Sequence, residues 1–411
     1  MKKAHLVLFI IMLLLIITAC SNPISQTNSS DTSSRSTNNQ VATELVDSLF
    51  IRSCIKDISL NGESVSILTN LGKAYLWGKN ENGTIGNGTT QDVATPYLIQ
   101  IDATISQISA SEYNSIALTD IGELYAWGSN EYGEFGNGTY EGSLVPKKLK
   151  LNFSVSKIET NDHITILLTT DGDVYWSGWN FDVRAFELDE PDLARYSNPS
   201  FTKVDLPAKI VDISVSSNGV ALLAEHEVYY HGRMNSDLEK TNQDDSFVKV
   251  EFPVKIIKAK TSDGCLIALG IDQKLYGFGR SVQNFVGPNF NAALKNPSPI
   301  QGYENITDFS LGNNCLLAIT DKGTILGAGY NIFNQITATQ AEPADSEYIF
   351  EPFEIILDDK VTKVFCGYVS SAAITESGDC YLWGANYYNQ LLNHNTNTPY
   401  TKGTPVRITT G

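Results

Sequence analysis

The sequence is poor in histidine and has no spaced cysteine motif. Only five histidines occur in 411 residues, and those beyond the first twenty residues are scattered, at His163, His226, His231 and His394. The six cysteines form no Cys-x-x-Cys pair, which argues against a zinc site and against a disulfide framework. No nucleophile stands beside a plausible general base. These absences predict no metal, no cofactor and no catalytic residue, and therefore a protein that is not an enzyme.

Basic residues are also in deficit. The chain has 29 Lys and Arg against 46 Asp and Glu, which gives a net charge of −17. Such a charge repels the phosphates of nucleic acid and anionic lipid, so nucleic acid is excluded as a partner. The acidic surface is either only solvated or attracts a basic patch on a partner, and composition leaves both interpretations open.

A hydrophobic run long enough to span a membrane is absent. The apolar run at residues 6–17 follows Lys2 and Lys3 and is shorter than the ~20 residues of a spanning helix, so residues 1–19 are predicted to be a signal peptide. Its end, "ITAC", resembles the bacterial lipobox, and a plain secretory cleavage site is the alternative. We expect lipidated Cys20 to anchor the protein to the bacterial membrane on its extracytoplasmic side. Loss of residues 1–19 would leave a net charge of −19.

Residues 20–40 are rich in Ser, Thr and Asn and contain too few apolar residues to fold. They are predicted to form a lipid-anchored flexible linker that spans about 25 Å root-mean-square. The remainder, residues 41–411, is predicted to form one folded domain and a monomer.

Two stretches in this domain are almost the same, "GKAYLWGKNENGTIGNGT" and, 50 residues later, "GELYAWGSNEYGEFGNGT". A tyrosine stands three residues before the Trp-Gly glycine in six of seven copies. The glycine itself, which we call the marker glycine, recurs at Gly78, Gly128, Gly178, Gly232, Gly279, Gly329 and Gly384. A fixed period of about 50 residues predicts seven stacked copies of one structural unit.

Each copy reads as a short sheet. Apolar runs such as "SIALT" and "ELYAW" flank a turn and predict a β-hairpin, and another strand pattern such as "IKDISL" opens each unit. Many short strands with almost no helical periodicity predict an all-β, seven-bladed β-propeller, with a solenoid as the structural rival.

The stretch "NSIALTDIGELYAWGSNEYGEFGNG", residues 114–138, resembles the regulator of chromosome condensation repeat family, as does "WGANYYNQLLN", residues 383–393. The resemblance extends from about residue 55 to the C-terminus, but units three to six lose the Gly-x-x-Gly-x-Gly tail. It implies a seven-bladed propeller, in agreement with the seven marker glycines. It also implies guanine nucleotide exchange on a nuclear GTPase, which the N-terminal signal contradicts.

Cys265 and Cys315 each precede their marker glycine by 14 residues, in adjacent units. The two residues should therefore lie at the same radial level. A disulfide between them is possible if the blade spacing brings their Cα atoms within ~7 Å.

Large aromatic residues follow the marker glycines, where the chain leaves the sheet, and such residues are favoured anchors at protein interfaces. Burial within or between blades is the alternative for Phe135 and Trp179. The candidate partner-binding residues are Tyr132, Phe135, Trp179, Tyr387 and Tyr388.

These observations predict a membrane-anchored extracytoplasmic binding or scaffold protein whose propeller loops contact a protein or an envelope glycan. The alternative is an extracytoplasmic polysaccharide lyase or hydrolase with carboxylates at one mouth of the channel. A third hypothesis, suggested by the wider family, is a propeller-type β-lactamase inhibitor. A close pair of perturbed carboxylates would favour an enzyme, and an aromatic patch without such a pair would favour binding.

Overall fold

The structure is a computed structural model that describes residues 55–179, 197–217, 219–232, 247–262, 264–279, 282, 285, 296–338, 347–392 and 406–408. The predicted signal peptide, the lipidated Cys20, the linker and residues 41–54 lie outside the described residues. Among the described residues, no helix is long and apolar enough to cross a membrane.

The described chain forms seven four-stranded antiparallel sheets, each built from four strands that are consecutive in sequence, which confirms the predicted seven-bladed β-propeller. The strands, blade by blade, are β1 (Ile55–Asn61), β2 (Ser64–Thr69), β3 (Ala74–Gly78) and β4 (Val93–Leu98); β5 (Ile105–Ala110), β6 (Asn114–Thr119), β7 (Leu124–Gly128) and β8 (Ser143–Leu149); β9 (Val155–Asn161), β10 (Ile164–Thr169), β11 (Val174–Trp179) and β12 (Ser197–Lys203); β13 (Asp212–Ser216), β14 (Gly219–Ala224), β15 (Glu227–Gly232) and β16 (Val248–Val250); β17 (Ile256–Ser262), β18 (Cys265–Gly270), β19 (Leu275–Phe278) and β20 (Ser298–Pro299); β21 (Ile306–Leu311), β22 (Cys315–Thr320), β23 (Ile325–Tyr330) and β24 (Tyr348–Ile355); β25 (Val361–Cys366), β26 (Ser370–Thr375), β27 (Cys380–Gly384) and β28 (Val406–Ile408).

The marker glycine is required by the backbone. Gly128 has a φ of 99°, which side-chain-bearing residues rarely adopt, and a Cβ there would lie 2.5 Å from the carbonyl oxygen of Tyr113. All seven marker glycines have positive φ. The third strand of each blade therefore leaves the sheet at this residue, and the loop that follows it starts at the same point in every blade.

An asparagine two residues after the marker glycine folds that loop back. The side-chain Oδ1 of buried Asn130 accepts a hydrogen bond from the backbone N–H of Phe135 at 2.8 Å, and Asn331 makes the same bond to Ile336 at 3.0 Å. In blade six, Asn334 takes the positive φ that glycine provides in blades one and two. Blade six thus keeps this loop although its sequence has lost the glycines.

Tryptophans join neighbouring blades. Trp127 is fully buried, and its Nε1 donates to the carbonyl oxygen of Thr84 in the preceding blade at 2.7 Å. Trp383 donates in the same way to Gln335 at 3.0 Å. The same contact closes the ring, because Trp77 of blade one donates to the carbonyl oxygen of Gln390 in blade seven at 3.0 Å.

Candidate functional site

Equivalent residues near the start of each blade's first strand form a ring around a central cavity of about 1380 Å³, and all of them except Asp212 line that cavity. The charge of these residues alternates around most of the ring. In blade order they are Asp57, Gln107, Lys157, Asp212, Lys258, Asp308 and Lys363, and we call them the charge belt.

Neighbouring members of the belt are paired. Lys157 forms ion pairs with Asp212 and with Glu159, the latter at 3.3 Å, and Lys258 lies 2.5 Å from Asp308. Burial favours a raised pKa for Asp212, but Lys157 and Lys260 outweigh it and the pKa of this carboxyl is lowered. Each of these contacts joins two different blades or two residues of one inner strand, so the belt depends on the closed ring.

At Asp57, burial outweighs the charge of the nearby lysines. Burial raises the pKa of its carboxyl, and the nearby lysines, Lys363 first among them, do not offset that effect. Burial likewise lowers the pKa of Lys258 in spite of Asp308. Parts of the belt are therefore charged at a cost in free energy.

Four rings from blades two and three form an aromatic cluster at one mouth of this cavity. The ring centroid of His163 lies 4.0 Å from that of Tyr113 and 4.3 Å from that of Tyr132. Trp179 meets Tyr132 edge to face at 4.7 Å. All four residues line the cavity and remain partly exposed.

Glu134, which is fully buried, orients this aromatic cluster. Its carboxylate accepts a hydrogen bond from the backbone N–H of Tyr132 at 3.0 Å and lies 3.0 Å from Nδ1 of His163. The Glu134 carbonyl oxygen accepts from the hydroxyl of Ser177 at 2.9 Å. One residue of the blade-two loop thus fixes groups on both blades, and the cluster is held before any partner arrives.

The surroundings of the cluster are acidic. Lys79 forms ion pairs with Glu63, Glu81 and Glu112, with its Nζ 3.4 to 3.5 Å from their carboxylate oxygens. Burial, followed by the charge of Glu112 and Asp162, raises the pKa of Tyr113. The mouth therefore combines partly exposed aromatic surface with an excess of negative charge.

A second group of rings lies on blades six and seven. Tyr387 contacts Phe333 edge to face at 5.6 Å, and Phe333 lies 6.5 Å from Tyr330. Tyr348 meets Tyr330 at 5.3 Å and stacks on Phe350 at 5.6 Å.

The structure places the predicted partner-binding residues in four environments. It brings Tyr132 and Trp179 together in the aromatic cluster, and it places Tyr387 in the second group. Tyr388 is partly exposed, and its backbone N–H donates to Gln390 as that of Tyr132 does to Glu134. Phe135 requires correction: it is 1% exposed and packs in the core between blades two and three, because its loop turns the ring inward.

Sequence reasoning missed three residues of this mouth, namely Tyr113, His163 and Glu134. Tyr113 and His163 both stand immediately before the second strand of their blades. That shared position, next to the marker glycine in space, was the signal that could have identified them.

The predicted disulfide between Cys265 and Cys315 is not formed, because both cysteines are free in the structure. Both residues begin the second strand of their blades, where each side chain contacts the first strand of the following blade. Cys265 lies in the same hydrophobic core cluster as Leu311, whereas the sulfur of Cys315 lies 2.9 Å from that of Cys366.

Comparisons with known proteins agree with this architecture. Two models described as "Regulator of chromosome condensation (RCC1) repeat" match the chain, one at residues 72–118 and 122–168 and the other at residues 105–134 and 361–390. The mitochondrial RCC1 domain-containing protein RUG3 of Arabidopsis thaliana is 27% identical over 120 residues, which are 29% of this chain and 26% of the relative. Human Protein RCC2 is 27% identical over 128 residues, 30% of this chain and 23% of the relative. These matches span about a quarter of each relative's length.

Solved structures share the fold over most of the chain. Yeast RCC1 (Prp20), solved bound to Kap60, has a TM-score of 0.67 at 17% identity and covers 94% of this chain and 91% of its own. Human WBSCR16 has a TM-score of 0.65 at 17% identity and covers 76% of this chain and 84% of its own. RCC1-like propellers are protein-binding regulators that act as binding or exchange-factor proteins. The chain therefore carries regulator of chromosome condensation repeats at the matched residues, and it folds as a seven-bladed β-propeller.

Proposed function

We propose that this protein is an extracytoplasmic binding protein, anchored to a bacterial membrane through lipidated Cys20, whose aromatic cluster engages a protein partner. The observation that carries the proposal is the preorganised cluster of Tyr113, Tyr132, His163 and Trp179 at the cavity mouth, held by buried Glu134.

Aromatic side chains bury large areas at low cost in conformational entropy, and tyrosine and tryptophan are enriched among residues that dominate binding energy. The acidic residues near the cluster favour a basic partner, because complementary charge speeds encounter and an arginine can stack on an aromatic face. We therefore propose a basic protein segment as the ligand of this mouth.

A protein ligand is favoured over an envelope glycan by what is known of similar folds. The structure of the yeast protein Prp20p was described together with its binding to Gsp1p and histones, and it covers 88% of this chain with a TM-score of 0.67. In this propeller the residues that follow the marker glycines supply two rings of the aromatic cluster, Tyr132 and Trp179.

An enzymatic function has less support. Among the described residues of the charge belt, the ionic neighbours that shift the pKa of Asp57 and Asp212 are lysines and not a second carboxylate. The mouth instead offers an aromatic patch, which favours binding.

Replacing Trp179 with alanine is expected to weaken binding of the partner about 30-fold, which is typical of an interface hot spot, without lowering the melting temperature. The measurement is affinity capture from envelope extract with the full-length chain, followed by titration of the captured protein. Tyr140→Ala is the matched control, because Tyr140 is an exposed aromatic residue of blade two that does not line the cavity. It should change affinity less than threefold. Capture of a glycan, or equal loss with both variants, would contradict the proposal.

The proposed lipid anchor at Cys20 can be tested separately. Cys20→Ser is expected to abolish incorporation of labelled palmitate and to release most of the protein from the membrane fraction, since a single side chain would carry the anchor. Unchanged labelling, or unchanged membrane association, would refute a lipid anchor at this residue. The result does not depend on whether the aromatic cluster binds a partner.

A further inference from the structure

Blades six and seven meet at a pair of cysteines. Cys315 is the first residue of β22 and Cys366 is the last residue of β25. Their Sγ atoms lie 2.9 Å apart although the residues are 51 positions apart in sequence. Cys315 is 1% exposed, and Cys366 is partly exposed and borders the central cavity.

The propeller geometry explains why these two positions meet. The first residue of a blade's second strand faces the end of the next blade's first strand. Asn114 and Thr160 occupy the same two positions in blades two and three and share a hydrogen bond of 2.6 Å between their side chains. Cys265 and Leu311 occupy them in blades five and six and lie in one hydrophobic core cluster. Only between blades six and seven, among the described blade pairs, do both positions hold cysteine.

We propose that Cys315 and Cys366 form a disulfide that joins blade six to blade seven. The oxidant is a disulfide, either of a small thiol or of a thiol–disulfide oxidoreductase. The thiolate of Cys366 attacks one sulfur of that disulfide, which forms a mixed disulfide and releases one thiol. The thiolate of Cys315 then attacks the sulfur of Cys366 and releases the second thiol. The two cysteines give up two protons and two electrons, and the oxidant takes them up as two thiols.

The position of this pair, with Cys315 buried and Cys366 at the edge of the central cavity, affects when the bond forms. Burial raises the pKa of the Cys366 thiol, with the contact to Cys315 adding to the effect, so the reactive thiolate is scarce in the folded protein. Oxidation should therefore be fast while blade seven is still docking and slow once the ring has closed. The same burial should protect the finished bond from reductants.

The test uses full-length protein that is denatured and reduced, refolded with a mixture of oxidised and reduced glutathione, blocked with an alkylating reagent and digested with trypsin. The bond links the tryptic peptide of residues 296–322 to that of residues 364–402. Because the second peptide also contains Cys380, the experiment is repeated with Cys380→Ser, in which the linked peptide should persist. It should vanish in Cys366→Ser.

Stability gives an independent readout. Oxidised wild-type protein should melt roughly 5 °C above the reduced protein, because the bond restricts the unfolded chain. Oxidised and reduced Cys366→Ser should melt together, and Cys265→Ser should keep the wild-type difference. Full alkylation of Cys315 and Cys366 after refolding, or a bond from Cys315 to any other cysteine, would overturn the proposal.

Discussion

Replacing Trp77 with alanine is expected to lower the free energy of unfolding by about 4 kcal/mol, the usual cost of removing a buried tryptophan. Trp77 is fully buried in a core shared with Leu382 and Leu391 of blade seven. The substitution opens a cavity at the contact that closes the ring, and it leaves the carbonyl oxygen of Gln390 without its indole donor. Denaturant unfolding followed by circular dichroism, with cysteines kept reduced, measures the change.

Two variants separate packing from hydrogen bonding. Trp77→Phe keeps most of the ring and should cost about 1 to 2 kcal/mol, mainly through the lost hydrogen bond. Trp179→Ala should cost well under 1 kcal/mol, since Trp179 is partly exposed at the mouth. A loss for Trp77→Ala as small as the loss expected for Trp179→Ala would mean that the seam between blades one and seven contributes little to stability.

The propeller could be predicted from the sequence because its repeated features are local. The marker glycine, the tyrosine before it and the hairpin patterns each satisfy a backbone or packing need that recurs in every blade. Gly128 shows this most directly, since any side chain there would collide with the Tyr113 carbonyl. Because the same structural requirement recurs in all seven blades, the sequence shows a detectable period of about 50 residues.

The charge belt and the aromatic cluster could not be found in this way. Lys157 and Asp212 are 55 residues apart, and Glu134 meets His163 from another blade, so only ring geometry brings them together. The members of the charge belt occupy equivalent positions of the repeat but differ in residue type from blade to blade, and Glu134 and His163 occupy different positions of the repeat. Similarity between repeats therefore hides them, and the prediction for Phe135 failed because a loop residue can turn inward as readily as outward.

Replacing Lys157 with methionine is expected to destabilise the protein by about 3 kcal/mol at pH 7, the cost of leaving the largely buried Asp212 carboxylate without its ion-pair partner. Lys157 pairs with Asp212 and Glu159, and all three side chains are less than one-third exposed. Methionine fills similar volume, so the loss reports mainly on charge. Thermal and denaturant unfolding across a pH series measures it.

The pH dependence identifies the carboxylate responsible. The pKa of Asp212 is lowered in the folded protein, so this residue contributes stability above its ordinary pKa of 3.8, and the contribution is lost as the pH falls through the lowered value. Lys157→Met removes this contribution. The stability difference between the variant and the wild type should therefore be greatest near pH 7 and shrink below about pH 4.

Asp57→Asn provides the matched control on the charge belt, because its expected change in stability at pH 7 has the opposite sign. Burial raises the pKa of Asp57, so its ionised form costs stability above pH 3.8, and the neutral amide should raise stability at pH 7. The side-chain oxygen that accepts from the backbone N–H of Ile58 is retained in asparagine. If both variants lost stability equally at pH 7, the belt would act through packing alone. Opposite signs would mean that the alternating charges around the channel stabilise one sector of the ring at a cost in another.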